Sequence, residues 1–246
     1  MNDRLDELRQ HLRRIQQEAQ ALPARWQESG DEGASVHHGS TAAQRLNVVH
    51  TQMNKPLQQA YLVRHGETEW SLSGKHTGII DIPLTANGRS AAKLFAPLCA
   101  KVSFALVLTS PLERARTTCE LAGLGGQAEI DRDLMEWNYG EYEGLTPNEI
   151  HAESPEWMLF NDGCPGGESP EEVGARVDRV IARVRALEGH IALFGHGHML
   201  RVLAARWLGL PAGAGCHFML DTATLSVLSY YRGIPAVERW NAPLLS

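Results

Sequence analysis

The chain is poor in cysteine. It has four, Cys99, Cys119, Cys164 and Cys216, scattered with no C-x-x-C pair. That spacing excludes a disulfide framework and a cysteine zinc site, and it suits reduced thiols in a cytoplasmic protein. No apolar run approaches membrane-spanning length, and the charged N-terminus lacks the apolar core of a signal peptide. Positive charge is not in excess either. The 23 Lys and Arg against 29 Asp and Glu leave a net charge of -6, which gives no footprint for nucleic acid. No internal repeat is present. The remainder is an ordinary globular composition, 43% hydrophobic and 21% charged over 246 residues, enough for one large α/β domain or two small ones.

Three regions are legible. In residues 1–27, Leu5, Leu8, Leu12, Ile15, Ala19, Leu22 and Trp26 alternate spacings of three and four. This is a heptad seam, and it predicts a helical extension that joins two copies of the chain or lies on its own domain. Residues 28–56 are rich in Gly, Ser, Thr, Gln and His and read as a flexible linker. Met53 within it stands just ahead of the first strand, so translation from that residue would yield a complete domain. From residue 57 onward, apolar strands alternate with helices, which predicts a mostly parallel sheet with helices on both faces. The strands expected are those ending at Val63, Thr109, Ile130 and Phe194, with a last one at Thr224–Tyr230; the helices expected are near Asn87–Cys99, after Pro111, from Ser169 onward and over Met199–Leu208. Residues 145–168, with three prolines and three glycines, read as an irregular, lid-like excursion.

The chemistry sits where strands stop. One ends in Arg64-His65-Gly66, a second in Ser110-Pro111 followed by Arg114, and a third in Gly195-His196-Gly197. Parallel strands place such ends on one edge, the usual ligand edge of open α/β sheets. Two guanidiniums and two imidazoles meeting there suit a phosphoryl group, with the cations in place of a metal ion and one histidine accepting the phosphoryl group. The leaving oxygen then needs a proton, and Glu136, flanked by Met135 and Trp137, is the best-placed acid; Glu67, Glu141 and Glu143 are its competitors. The loop Ser73-Gly74-Lys75-His76-Thr77-Gly78, with its glycines and hydroxyl, is suited to wrap a phosphate through backbone N–H groups. His196 and His198 form an H-x-H pair, but with no third ligand nearby in sequence no metal site is expected.

These residues resemble the histidine phosphatase superfamily, the phosphoglycerate-mutase-like fold, over about residues 58–241. The motifs are Arg-His-Gly-Glu-Thr at 64–68, Ser-Pro-Leu-Glu-Arg-Ala at 110–115, Glu136 ahead of Tyr-Gly-Glu-Tyr-Glu-Gly at 139–144, and Gly-His-Gly at 195–197. The resemblance implies a three-layer α/β/α fold, a phosphohistidine at His65, a cradle of Arg64, Arg114 and His196, and Glu136 as acid and then base. The segments 74–78, 136–144 and 195–201 look most like the sedoheptulose-1,7-bisphosphatase-like branch. That similarity implies a sugar bisphosphate substrate, no cofactor, and substrate contacts from His76, Thr77, Tyr139 and Gly197. Ser71 departs from the pattern, since many members carry Asn there. A phosphoglycerate mutase and a non-catalytic phosphate-binding module are the competing readings.

If residues 1–52 serve only to join copies of the chain, a protein beginning at Met53 retains its specific activity and sediments differently. Sedimentation velocity beside a turnover assay checks this, and loss of activity contradicts it.

Overall fold

The computed structural model of the chain describes residues 58–244; the extension and linker expected over 1–56 lie outside the described residues. The strands are β1 (Ala60–Arg64), β2 (Phe104–Thr109), β3 (Ala128–Ile130), β4 (His190–Gly195), β5 (Thr224–Tyr231) and β6 (Ile234–Pro243). They form one sheet in the order β3-β2-β4-β1-β5-β6. The strands β1 to β4 are mutually parallel, while β5 pairs antiparallel with β1 and β6 antiparallel with β5. The helices are α1 (Glu69–Leu72), α2 (Ala86–Lys93), α3 (Ala96–Cys99), α4 (Glu113–Leu121), α5 (Pro147–Glu153), α6 (Leu159–Asp162), α7 (Pro170–Arg185) and α8 (Gly197–Trp207).

The period-2 alternation of the central strands divides the core into two layers. Leu62, Leu108 and Leu193 pack against Val173, Val177 and Val180 of α7 and Leu200 and Leu203 of α8. Their neighbours Val63, Val107 and Phe194 face the opposite way, onto Phe95, Cys99 and Cys119 of the α2–α4 side. The three-layer α/β/α architecture expected from the alternation of elements is therefore the one observed. Helix α7 starts where its sequence signals put it: Ser169 and Glu172 form a capping box, Pro170 occupies the first turn, and Arg183 and Arg185 close the last. Among the described residues, no helix is long and apolar enough to cross a membrane.

Four local expectations change. The single helix expected up to Cys99 is two, α2 and α3, because Pro97 falls in the first turn of α3, where it has no N–H to continue a helix and would collide with the carbonyl four residues back. Pro111 precedes the N-cap, Leu112, instead of lying in the first turn of α4. The strand expected to be last, β5, is followed by β6 through a two-residue turn, Arg232-Gly233, with both φ angles positive at 51° and 83°. That is hairpin geometry written with an arginine where asparagine is the usual signal. Pro235, Pro243 and the polar residues between them hide β6 in the sequence, and the edge of a sheet is where a strand tolerates them. The excursion at 145–168 contains two short helices, α5 and α6.

The turn after β1 depends on two glycines. A Cβ on Gly66 would lie 2.4 Å from the Gly88 carbonyl oxygen, and one on Gly88 would lie 2.2 Å from the Glu67 oxygen. The backbone following His65 thus runs in contact with the start of α2, and neither atom can yield without moving main chain. Gly88→Ala is expected to destabilise the fold by about 1–3 kcal/mol, as overpacking does, read as a lower Tm; an unchanged Tm rules out the close approach.

Candidate functional site

Sheet register brings the three strand ends together. Arg64 pairs with Gly195 and Thr109 with Phe194, and the ladders continue as His65 N–H to Gly195 O and Ser110 N–H to Phe194 O, both 3.0 Å. A cavity of about 90 Å³ opens at this edge, lined among others by Arg64, His65, Ser71, Thr77, Glu136 and Gly197. At roughly 30 Å³ per water in the liquid, it has room for a phosphoryl group.

His65 is buried at 4% exposure. Its Nδ1 lies 2.7 Å from the Gly66 carbonyl. A carbonyl only accepts, so Nδ1 carries the proton and Nε2 keeps its lone pair. Burial, then the nearby guanidiniums of Arg114 and Arg64, hold its pKa well below the ordinary histidine value, so the imidazole is neutral at physiological pH. Arg64 donates through Nη1 to the Leu220 carbonyl, while its buried Nε has no partner. Its guanidinium packs on Gly197, where a Cβ would sit 3.1 Å from Cζ. Glycine at that position makes space for the cation beside the start of α8.

Arg114 and His196 lie immediately behind this cavity. Both are fully buried, and the ring of His196 is 5.1 Å from that of His65. Arg114 Nε donates to His196 Nδ1 (3.2 Å), Nη1 donates to Ile80 O (3.0 Å), and Nη2 donates to Thr77 O and Gly78 O (3.0 and 2.8 Å). Because His196 Nδ1 accepts, its Nε2 carries the proton and donates to Ser110 Oγ at 2.8 Å. Desolvation, Arg114 and His65 keep His196 neutral as well.

Glu136 sits under the first turn of α8. Its Oε1 accepts from Trp137 N and Met199 N, both 2.9 Å, and its Oε2 from His198 N at 3.1 Å. A helix N-terminus offers unpaired N–H groups to such a carboxylate. Arg176, missed by sequence reasoning, secures the backbone on the other side. It donates to the carbonyls of Asp133, Met135 and Glu136 at 2.8, 2.6 and 3.1 Å, and it is paired with Glu168 through Nε at 2.7 Å. Its position in the middle of an apolar helix face was the available signal.

The loop at 74–80 differs from expectation. Five of its N–H groups are not available for a phosphate: Lys75 and His76 donate to Trp70 O and Leu145 O, and Gly78, Ile79 and Ile80 all donate to the Glu143 carboxylate at 2.7–3.3 Å. Glu143, which competed with Glu136 for the acid role, clamps this loop instead. Side chains of the loop do reach the cavity, with Lys75, His76 and Thr77 in its lining. His76 stacks on Tyr139 (4.6 Å, 21°), burial lowers its pKa to about 4, and its Nε2 is buried without a partner. The Tyr139 hydroxyl lies 2.5 Å from His198 Nδ1. His198 and Arg201 also line the cavity; a spacing of three on a helix that begins at a strand end was the sequence signal for them.

The five residues expected to do chemistry are therefore neighbours, with Arg64, His65 and Glu136 at the cavity surface and Arg114 and His196 one layer back. The profile of the histidine phosphatase superfamily (branch 1) matches residues 60–243. An acid phosphatase of Mycobacterium tuberculosis is 38% identical over 177 residues, 70% of this chain and 87% of the relative. A sedoheptulose 1,7-bisphosphatase of Saccharomyces cerevisiae is 37% identical over 188 residues, 63% of this chain and 69% of the relative. The solved structure of a Mycobacterium tuberculosis open-reading-frame product superposes with a TM-score of 0.73 at 33% identity, over 76% of this chain and 99% of that one.

His65, His76 and His196 are buried and His198 is half-buried, and all four have lowered pKa values in the folded chain. Below the ordinary value of 6.5, the unfolded chain binds protons that the folded chain does not. Their contribution is full above that pH and is lost on acidification, at up to about 1.4 kcal/mol per pH unit for each. Tm is expected to fall between pH 7 and pH 4.5, and His76→Gln to make the fall shallower; a Tm independent of pH over this range contradicts the neutral, buried imidazoles.

Proposed function

This chain belongs to the histidine phosphatase superfamily, branch 1, and from that membership we propose that it hydrolyses small phosphorylated metabolites, foremost sugar phosphates and bisphosphates, through a phosphohistidine on His65 and without a metal ion. The observation that carries this reading is the Nδ1–H···O=C bond from His65 to Gly66, which leaves Nε2 as a free nucleophile in a cavity shared with Arg64 and Glu136.

Substrate enters with its phosphoryl oxygens against Arg64, whose unpartnered Nε gains an acceptor. Arg114 and the neutral His196 complete the cradle from behind, and Arg114 contributes a fixed positive field where charge develops on the phosphoryl group. His65 Nε2 attacks phosphorus as the P–O ester bond breaks, and Glu136 in its acid form gives its proton to the leaving oxygen. Water then attacks the phosphohistidine. Glu136, now a carboxylate, takes the water proton, and phosphate leaves with His65 neutral again. His76, Thr77, Tyr139 and Gly197 border the part of the site that holds the rest of the substrate. Similarity to a protein named sedoheptulose 1,7-bisphosphatase supports a sugar bisphosphate, and four free cysteines suit the reducing cytoplasm as the compartment.

Phosphate release in the presence of EDTA tests the reading. Turnover of sugar bisphosphates is expected to survive chelation and to vanish in His65→Ala, and acid-quenched wild-type enzyme should carry acid-labile phosphate. Glu136→Gln should slow alkyl phosphate esters by about 10²–10⁴-fold and nitrophenyl phosphate far less, because nitrophenolate leaves without a proton. Substantial activity in His65→Ala excludes the phosphohistidine, and transfer of phosphate to a second phosphoglycerate in place of water makes the protein a mutase.

A further inference from the structure

Beyond the phosphoryl-binding residues, one wall of the cavity consists of imidazoles joined by a phenol. His198 is half-buried and lines the cavity. Its main-chain N–H is held by Glu136, and its ring edge meets Tyr139, Phe160 and His76 at centroid distances of 5.8, 5.5 and 5.9 Å. The ring is therefore fixed in place and in orientation.

Its tautomer is fixed as well. The Tyr139 hydroxyl is buried, and His198 Nδ1, 2.5 Å away, is its only hydrogen-bond partner among the described residues. A buried phenol must place its proton on an acceptor. Donation in the opposite direction would leave the O–H without one, so Tyr139 donates and Nδ1 accepts. The remaining ring proton then lies on Nε2, which has no partner among the described residues and belongs to a side chain lining the cavity. His76 beside it carries a second unpartnered imidazole nitrogen, Nε2, itself buried. Desolvation keeps both rings neutral, so this wall offers hydrogen bonds without charge. That is the chemistry for hydroxyl groups, and it is poorly matched to a bare alkyl chain, which would leave the imidazole nitrogens unpaired.

We propose that His198 is a specificity-determining residue that donates from Nε2 to a hydroxyl of the esterified carbon chain, and that Tyr139 is a positioning residue that acts by setting this tautomer instead of by touching substrate itself. The inference rests on the phosphatase reading above and narrows its substrates to phosphate esters of polyhydroxylated chains.

Two esters separate the hydroxyl wall from the acid. Glucitol 6-phosphate and hexyl phosphate both expel a primary alkoxide, so both need Glu136, but only the first carries hydroxyls for His198. Wild-type enzyme is expected to favour glucitol 6-phosphate in kcat/KM. His198→Phe should cut that preference by about tenfold or more, the worth of one hydrogen bond and its unpaired partner, with hexyl phosphate changed by less than about threefold on the same ground. His198→Asn, which retains an N–H donor, should restore part of the preference. Tyr139→Phe should reduce it in the wild-type background and add nothing to His198→Phe. The ¹⁵N resonances of the His198 ring should report the Nε2–H tautomer in wild type and a mixture in Tyr139→Phe. Equal losses on both esters, additive effects of the two substitutions, or an Nδ1–H tautomer overturn the proposal while the phosphatase stands. Failure of wild-type enzyme to hydrolyse either ester removes the sugar-phosphatase reading and this inference with it.

Discussion

A guanidinium buried without water must find its partners inside the protein, and Arg114 does so at each of its three nitrogens in a way that organises the site. Its donors join the loop carbonyls of Thr77, Gly78 and Ile80 to the imidazole of His196, with Asp81 as the nearest carboxylate at 3.8 Å. Through His196 the same group fixes Ser110 at the end of β2. Glu143 answers from the opposite side by accepting the N–H groups of the same loop. One stretch of chain with no regular secondary structure is thus clamped by its carbonyls and its amides at once. That is why a loop can present His76 and Thr77 to a cavity as firmly as a strand end presents His65.

The second organising element is the start of α8. Its first N–H groups hold Glu136, its glycine makes room for Arg64, and its second residue, His198, turns its ring into the cavity wall. Glu136, Arg64 and His198 are therefore referred to a single helix terminus. Arg176 ties the strip carrying Glu136 to α7, so the distance between Glu136 and His65 is fixed by two helices and the sheet. Catalytic groups held on rigid elements in this way lose little freedom when substrate binds.

The proposed mechanism needs His65 to be neutral yet surrounded by positive charge. Here burial provides the neutrality and the two arginines provide the field, and the same desolvation that lowers the pKa of His65 also strengthens the pull of Arg64 and Arg114 on an incoming phosphate. The relatives named for acid phosphatase and sedoheptulose bisphosphatase activities share the superfamily, and in this chain the imidazoles of His76 and His198 stand in the cavity lining.

Much of the layout was legible in the chain itself. Strand ends carry their reactive residues a step or two along the sequence from the apolar run that defines them, and parallel pairing sends all such ends to one edge. His65, Ser110 and His196 could therefore be placed together from periodicity alone, and the caps of α7 were read from Ser169, Pro170 and Glu172 for the same local reason. The β5–β6 hairpin was not legible, because its turn uses Arg232 where asparagine would be the signal and its edge strand tolerates proline. What the tertiary structure alone decided is which polar groups remain free. Arg64 and Arg114 look equivalent in sequence, yet Arg114 is consumed by carbonyls 34 to 37 residues away and by His196 82 residues away, while Arg64 retains an unpaired donor. Glycines 74 and 78 suggested a phosphate loop, but Glu143, 65 residues beyond Gly78, accepts its N–H. Such pairings have no local period. They exist only once the chain has folded and distant donors and acceptors are removed from water together.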